Sequence, residues 1–154
     1  MARKTIIANS YLCAGCHSCE VACKQINNLP AGVFRIKIEK IAPHYISNGM
    51  LKIKFNIVRC THCEKPLCVN VCPTGALNKR GDGMVTMDKD LCNGCKKCID
   101  ACPIHAVWFN PETGKVEKCD LCFDKKLEEP FCVKHCMSKA LRYSNPGYSL
   151  GIPW

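Results

Sequence analysis

Sixteen of the chain's 154 residues are cysteine, and they fall into four groups of four with none left over. Cys92, Cys95, Cys98 and Cys102, followed by Pro103, have the spacing C-x2-C-x2-C-x3-C-P, which presents four thiolates to cubane iron–sulfur clusters. Cys13, Cys16, Cys19 and Cys23 repeat that spacing without the proline. Cys60, Cys63, Cys68 and Cys72, followed by Pro73, widen the middle gap to four residues, and Cys119, Cys122, Cys132 and Cys136 widen it to nine. Four such groups predict four 4Fe–4S clusters.

A chain this short forms one ordinary domain or two very small ones, and units of that size need bound metal where an apolar core falls short. Two other uses of cysteine compete with this reading. Disulfide frameworks suit secreted proteins, but Met1 to Asn9 carries Arg3 and Lys4 and no apolar stretch long enough for a signal peptide. A cytoplasmic location is therefore expected. Zinc ribbons pair two C-x2-C units across a spacer, whereas here the third and fourth cysteines of every group stand with three residues between them.

The formal charge of +9 invites a nucleic-acid or membrane reading. Sixteen cluster-bound thiolates remove most of it, leaving a holoprotein near about +1 when oxidised and about −3 when all four clusters are reduced. Nucleic acid is not an expected partner. Residues 1–59 keep nine Lys or Arg against only Glu20 and Glu39, a basic third suited to an acidic partner surface. No span approaches transmembrane length, so no direct membrane insertion is expected.

Along the chain, each group predicts the same unit: an extended segment, cysteines in a loop, a short helix begun near the fourth cysteine, and a strand. The helix and following turn are legible in Cys68–Leu77, Cys98–Val107 and Cys132–Leu141, each ending in alanine plus an aliphatic residue. Leu77 to Arg80 and Met84 to Met87 flank Gly81-Asp82-Gly83 as a hairpin, and Val107 to Phe109 and Lys115 to Lys118 flank a second turn. Between the first two groups, Phe34, Ile36 and Ile38 alternate with Arg35, Lys37 and Glu39. Leu51, Ile53, Phe55 and Ile57 alternate with Lys52, Lys54 and Asn56. These predict two half-buried strands with a basic outer face, joined at Asn48-Gly49. Tyr143 to Trp154 has no charged side chain and holds two tyrosines and a tryptophan, a tail expected to lie against a partner.

In two-cluster ferredoxins the fourth cysteine of one run serves the other cluster. Applied to the middle groups, this pairs Cys60, Cys63 and Cys68 with Cys102, and Cys92, Cys95 and Cys98 with Cys72. The outer groups then pair Cys13, Cys16 and Cys19 with Cys136, and Cys119, Cys122 and Cys132 with Cys23. The expected fold is α+β: two interlocked bacterial dicluster ferredoxin-like modules with short helices, hairpins and long loops. Residues 55–109 make the inner module. Residues 1–54 and 110–154 make the outer one, which carries the basic hairpin 33–58 and the uncharged tail 143–154.

The complete pattern, together with Asn27–Val33 (NNLPAGV), Cys63-Glu64-Lys65-Pro66 and Lys118–Cys122 (KCDLC), resembles the four-cluster electron-transfer subunits of molybdenum and tungsten pterin oxidoreductases. Dimethyl sulfoxide, thiosulfate and polysulfide reductases and some formate dehydrogenases have such subunits. The chain is also similar to the small polyferredoxin partners of tungsten aldehyde oxidoreductases, toward which its short length leans. The resemblance runs from about Thr5 to Leu141. It departs at Lys24 and Met137, where prolines would follow the fourth cysteine, and in having neither a twin-arginine leader nor the longer loops of exported members.

The resemblance implies relay of single electrons between a larger pterin-containing catalytic subunit and a further redox subunit or soluble carrier. A free-standing polyferredoxin is the alternative. No catalytic residue is predicted, because every iron has a thiolate and no coordination position is left for a substrate. His17, His62 and His135 lie within or beside the cysteine groups but are surplus to a complete ligand count. His62 or a nearby backbone N–H is read as a donor to cluster sulfur that raises a cluster potential. Lys65, Lys79 and Lys97 are read as solvated charges.

Overall fold

Short strands bounded by tight turns can pair only with their nearest neighbours, and three of the four sheets formed here are hairpins of that kind. The computed structural model describes residues 4–45 and 47–144. In chain order it contains β1 (Thr5–Ala8), α1 (Ser18–Asn27), β2 (Ile36–Tyr45), β3 (Leu51–Arg59), α2 (Leu67–Asn70) and β4 (Leu77–Lys79). There follow β5 (Val85–Met87), α3 (Lys97–Asp100), β6 (Val107–Asn110), β7 (Lys115–Lys118), α4 (Phe131–Lys134) and β8 (Leu141–Ser144). The result is a small α+β protein of short helices and two-stranded antiparallel sheets. The pairs β2–β3, β4–β5 and β6–β7 are the hairpins.

The fourth sheet joins the two ends of the described chain. Thr5 pairs with Ser144 and Ala8 with Leu141, and the α1 and α4 that follow and precede these strands also touch. The α2 and α3 helices pack together in the same way between the middle hairpins. Of the uncharged tail 143–154 expected to lie against a partner, Tyr143 and Ser144 pair with Ile6 and Thr5 in this sheet, and 145–154 fall outside the described residues.

Two apolar clusters form, and both are built around sulfur. Ile6, Ile36, Ile38, Val133 and Leu141 pack with Cys19, Cys23, Cys119, Cys132 and Cys136. Leu77, Val85, Val107 and Val116 pack with Cys98, with Cys68, Cys72, Cys92 and Cys102 partly buried against them.

Two expectations are corrected. Each helix contains the third cysteine of its group and does not begin near the fourth: Cys19, Cys68, Cys98 and Cys132 all lie in the first turns. Left-handed residues just upstream of two of them, His17 (φ 58°) and Lys96 (φ 63°), end the loop sharply enough for this. Second, Arg35 does not join the basic outer face of the long hairpin. It precedes β2 and is buried at 6% exposure, because it meets carboxylates from elsewhere in the chain. Alternation in that hairpin buries only its base, Ile36 and Ile38, while Ile41, Leu51 and Ile53 toward the tip are exposed.

The turn of β6–β7 presses directly on the third cysteine loop. Gly94 has φ +70°, and a Cβ there would collide with the backbone carbonyl of Gly114. Gly94→Ala should therefore lower stability by about 1–3 kcal/mol or more, read as a lower thermal unfolding midpoint. Gly81→Ala, where an added methyl meets nothing, should change it little.

Candidate metal centres

Each cysteine group bends around a left-handed residue placed immediately before its second cysteine. Gly15 (φ 65°), His62 (φ 51°), Gly94 (φ 70°) and Leu121 (φ 59°) are the four. A second left-handed position recurs three residues after the fourth cysteine, at Gly75, His105 and Lys139. Such bends turn successive backbone N–H groups into one concavity and make it a receptor for anions. Only Gly15 and Gly94 advertise this in sequence; His62 and Leu121 carry no such signal.

Cys72 from the second group and Cys92, Cys95 and Cys98 from the third line one small cavity, together with Leu77, Met87 and Val116. Cys23 from the first group and Cys119, Cys122 and Cys132 from the fourth line another, together with Ile6, Ile36 and Pro130. The remaining thiols also gather across groups. Cys68 is pushed up by burial first and then by Cys60, Cys102 and Cys63. Burial first, then Glu20, Cys136 and Cys13, push Cys19 up to about 12. Cys16 is exposed, its Sγ accepting from the Ser18 hydroxyl at 3.4 Å. No disulfide joins any of the sixteen.

The electrostatics identify what such sites can hold. Burial, followed by Cys119 and Cys122, pushes Cys23 up to about 12, burial does the same to Cys119, and Cys132 is driven well above its ordinary value. Four thiolates cannot share a dry cavity unless a polycation sits among them. Around Cys72 burial works upward, but N–H groups of Leu77, Thr74 and Ala76 and the Thr74 hydroxyl outweigh it and leave the thiol below its ordinary value. The Ala106 N–H likewise donates to Cys102 Sγ at 3.3 Å. Sulfur donors, N–H concavities and apolar lids fit an iron–sulfur cube. Tetrahedral zinc would hold its four sulfurs roughly 3.8 Å apart. Among the described residues no three His, Cys, Asp or Glu side chains stand close enough to hold a single ion.

A buried ion network braces the second cavity. Arg35 donates through Nε and Nη2 to Glu117 Oε2 at 2.9 and 2.7 Å, and through Nη1 to Asp120 Oδ2 and Asn27 Oδ1, both at 2.9 Å. Lys89 Nζ donates to the other Glu117 oxygen at 2.6 Å. Desolvation works against the Arg35 charge, but Asp120 and Glu117 outweigh it and hold the guanidinium above its ordinary value. Lys118, also buried, donates to the carbonyls of Val85 and Cys119, so the strand leading into the fourth cysteine group is pinned to β5. None of these contacts was legible in sequence.

The histidines take separate roles. His17 Nδ1 lies 3.1 Å from Glu20, and His135 Nδ1 faces the Phe131 carbonyl at 2.9 Å. His62 is fully buried, and its Nδ1 accepts the Val85 N–H at 3.0 Å, which leaves the ring proton on Nε2. Lys79 is exposed, as expected of a solvated lysine, and its Nζ donates to the carbonyls of Cys63 and Glu64 at the second cysteine loop.

Comparison with known proteins gives two matches to 4Fe–4S dicluster domain models, over residues 51–145 and 12–76. The chain is 42% identical over 134 residues to the thiosulfate reductase electron transfer subunit PhsB of Salmonella typhi, covering 85% of this chain and 70% of that one. It is 38% identical over 149 residues to the B chain of the polysulfide reductase of Wolinella succinogenes, covering 94% and 78%. Identity to the B chain of the anaerobic dimethyl sulfoxide reductase of Shigella flexneri is 39% over 143 residues, covering 88% and 70%.

The ion network yields a stability prediction. Glu117→Gln removes one member of a buried charge cluster and should cost about 3 kcal/mol, the lower end for a broken buried pair because Asp120 remains beside Arg35. A lower urea midpoint in far-ultraviolet circular dichroism would report it, with the exposed Glu112→Gln as the neutral control.

Proposed function

The chain belongs to the 4Fe–4S dicluster family, and from that premise we propose that it is a non-catalytic electron-transfer subunit. In this reading it relays single electrons through four clusters between a molybdenum- or tungsten-pterin catalytic subunit and another redox carrier. When bound, each cluster takes up and releases one electron. Cys60, Cys63, Cys68 and Cys102 would hold one, Cys72, Cys92, Cys95 and Cys98 a second, Cys23, Cys119, Cys122 and Cys132 a third, and Cys13, Cys16, Cys19 and Cys136 the fourth.

The observation that carries the reading is the single-file adjacency of these sets. Cys68 is packed against the apolar cluster that contains Cys98, Cys60 against the one that contains Cys119, and Cys132 and Cys19 share that same cluster. These three links support the order Cys72/92/95/98, Cys60/63/68/102, Cys23/119/122/132, Cys13/16/19/136. The exposed thiols, Cys95 and Cys16, belong to the two end sets, where electrons would enter and leave. The names of the relatives, subunits of thiosulfate, polysulfide and dimethyl sulfoxide reductases, support a pterin enzyme as partner. A tungsten aldehyde oxidoreductase is the specific candidate within that class. In this reading the location is the cytoplasm, a compartment that keeps thiols reduced.

Anaerobically purified protein should be brown and carry about sixteen irons and as much labile sulfide; colourless, zinc-loaded protein would overturn the reading. Elution with a large polypeptide containing molybdenum or tungsten pterin is expected. Elution alone as a monodisperse small protein would favour the free polyferredoxin instead. Cys102→Ser should extinguish the cluster signal of the Cys60/63/68 set and spare that of Cys92/95/98, with Cys72→Ser doing the reverse. Loss of the same signal in both variants would refute the crossed ligation.

A further inference from the structure

Among the described residues two arginines are buried, and they are compensated differently. Arg35 has its carboxylates, Glu117 and Asp120. Arg59, the last residue of β3, is 8% exposed, and among the described residues no Asp or Glu pairs with it. Its Nη2 donates to the Ile6 carbonyl and its Nη1 to the Cys60 carbonyl. Its Nε–H is buried with no partner. Arg59 also lines the cavity of Cys23, Cys119, Cys122 and Cys132. A buried cation without counter-charge and a buried donor without acceptor are each costly, and here both sit at the wall of a site made for an anion.

We propose that Arg59 Nε–H donates to the cluster-sulfur assembly held by Cys23, Cys119, Cys122 and Cys132, and that its fixed charge raises the reduction potential of that cluster. This rests on the cluster content proposed above. Desolvation disfavours the Arg59 cation, and the groups around it that can oppose this are Cys119, Cys132 and Cys60, which would supply the counter-charge as thiolates once a cluster is bound. Guanidinium remains protonated throughout, so the one-electron reduction of the cluster takes up no proton here. Reduction adds a negative charge beside a cation in a dry setting, where the attraction is strongest. Because Arg59 also grips the backbone of Cys60, the same charge reaches the neighbouring set and lies at the passage between the two cysteine pairs. Arg59 is a positioning residue in this role, acting on potential without binding metal.

The test is an electron paramagnetic resonance redox titration of the anaerobically purified holoprotein and its Arg59→Gln and Arg59→Lys variants, with iron counted in each. Arg59→Gln should load all its iron and lower one cluster's equilibrium constant for reduction at least tenfold, which is about 59 mV for one electron. Arg59→Lys, which keeps the charge, should stay within that tenfold limit. Fully loaded Arg59→Gln with every potential unchanged, or Arg59→Lys falling as far as Arg59→Gln, would overturn the proposal. Should Arg59→Gln lose iron, wild-type protein labelled with 15N-arginine decides the matter by pulsed resonance on the reduced clusters. A nitrogen coupling that vanishes in Arg59→Lys is expected, and its absence in the wild type refutes the donor role. Wild-type protein devoid of iron would instead bring down the underlying cluster reading.

Discussion

Gathering sulfur anions out of water is the constraint on which the rest of this structure depends. Thiols packed as tightly as Cys23, Cys119 and Cys132 resist ionisation, with burial the largest cause in each case. A cationic core inserted among them reverses that cost and turns repulsion into cohesion, so binding free energy becomes folding free energy. Both apolar clusters show the consequence. In one, aliphatic side chains pack among five buried cysteines; in the other they pack with Cys98, and Cys68, Cys72, Cys92 and Cys102 are partly buried against them. The lids made by Leu77 and Val116 on one cavity and by Ile6 and Ile36 on the other exclude water from the anion as much as they bury themselves.

The two cavities close loops of very different length. Cys72 and Cys92 are 20 residues apart, whereas Cys23 and Cys119 are 96 apart. Closing the longer loop costs about 1.4 kcal/mol more by chain entropy alone. Additional ties concentrate at the longer closure. There β1 meets β8, α1 meets α4, and the Arg35 network joins the end of α1 to β7 and the fourth cysteine loop. The shorter closure has its hairpins, β4–β5 and β6–β7, held together largely by the apolar side chains of one cluster. Local pairing suffices where the chain returns quickly, and long-range charge pairing appears where it does not.

Cysteine spacing makes the four groups legible in the amino-acid sequence, because number and interval are properties of the chain itself. Hairpins are legible for the same reason: glycine and asparagine turns between alternating segments are local signals. What escapes is whatever depends on residues far apart. Arg35 sits in register with Lys37 and Glu39, and nothing within its neighbourhood announces that Glu117 and Asp120, more than eighty residues later, will bury it. The left-handed turns that open α1 and α3 also escape, because His17 and Lys96 adopt a backbone conformation that their side chains do not advertise. His62 and Leu121 conceal the bend that Gly15 and Gly94 make plain.

The contrast between the two buried arginines separates parts of the fold that stand by themselves from parts that need the metal. Arg35 is neutralised by carboxylates that belong to the chain, so its network is complete whatever occupies the neighbouring cavity. Arg59 has carbonyl acceptors for two of its nitrogens and thiols for its surroundings, and protonated thiols cannot balance a guanidinium. Its burial becomes favourable only when those thiols are thiolates, which is the state a bound cluster enforces. Arg59 therefore ties three things to occupancy of one site: the edge of β1 through Ile6, the start of the second cysteine loop through Cys60, and the wall of the fourth group's cavity. In a chain with little apolar core to spare, that coupling makes loading of one cavity a condition for order in the segments that build the next.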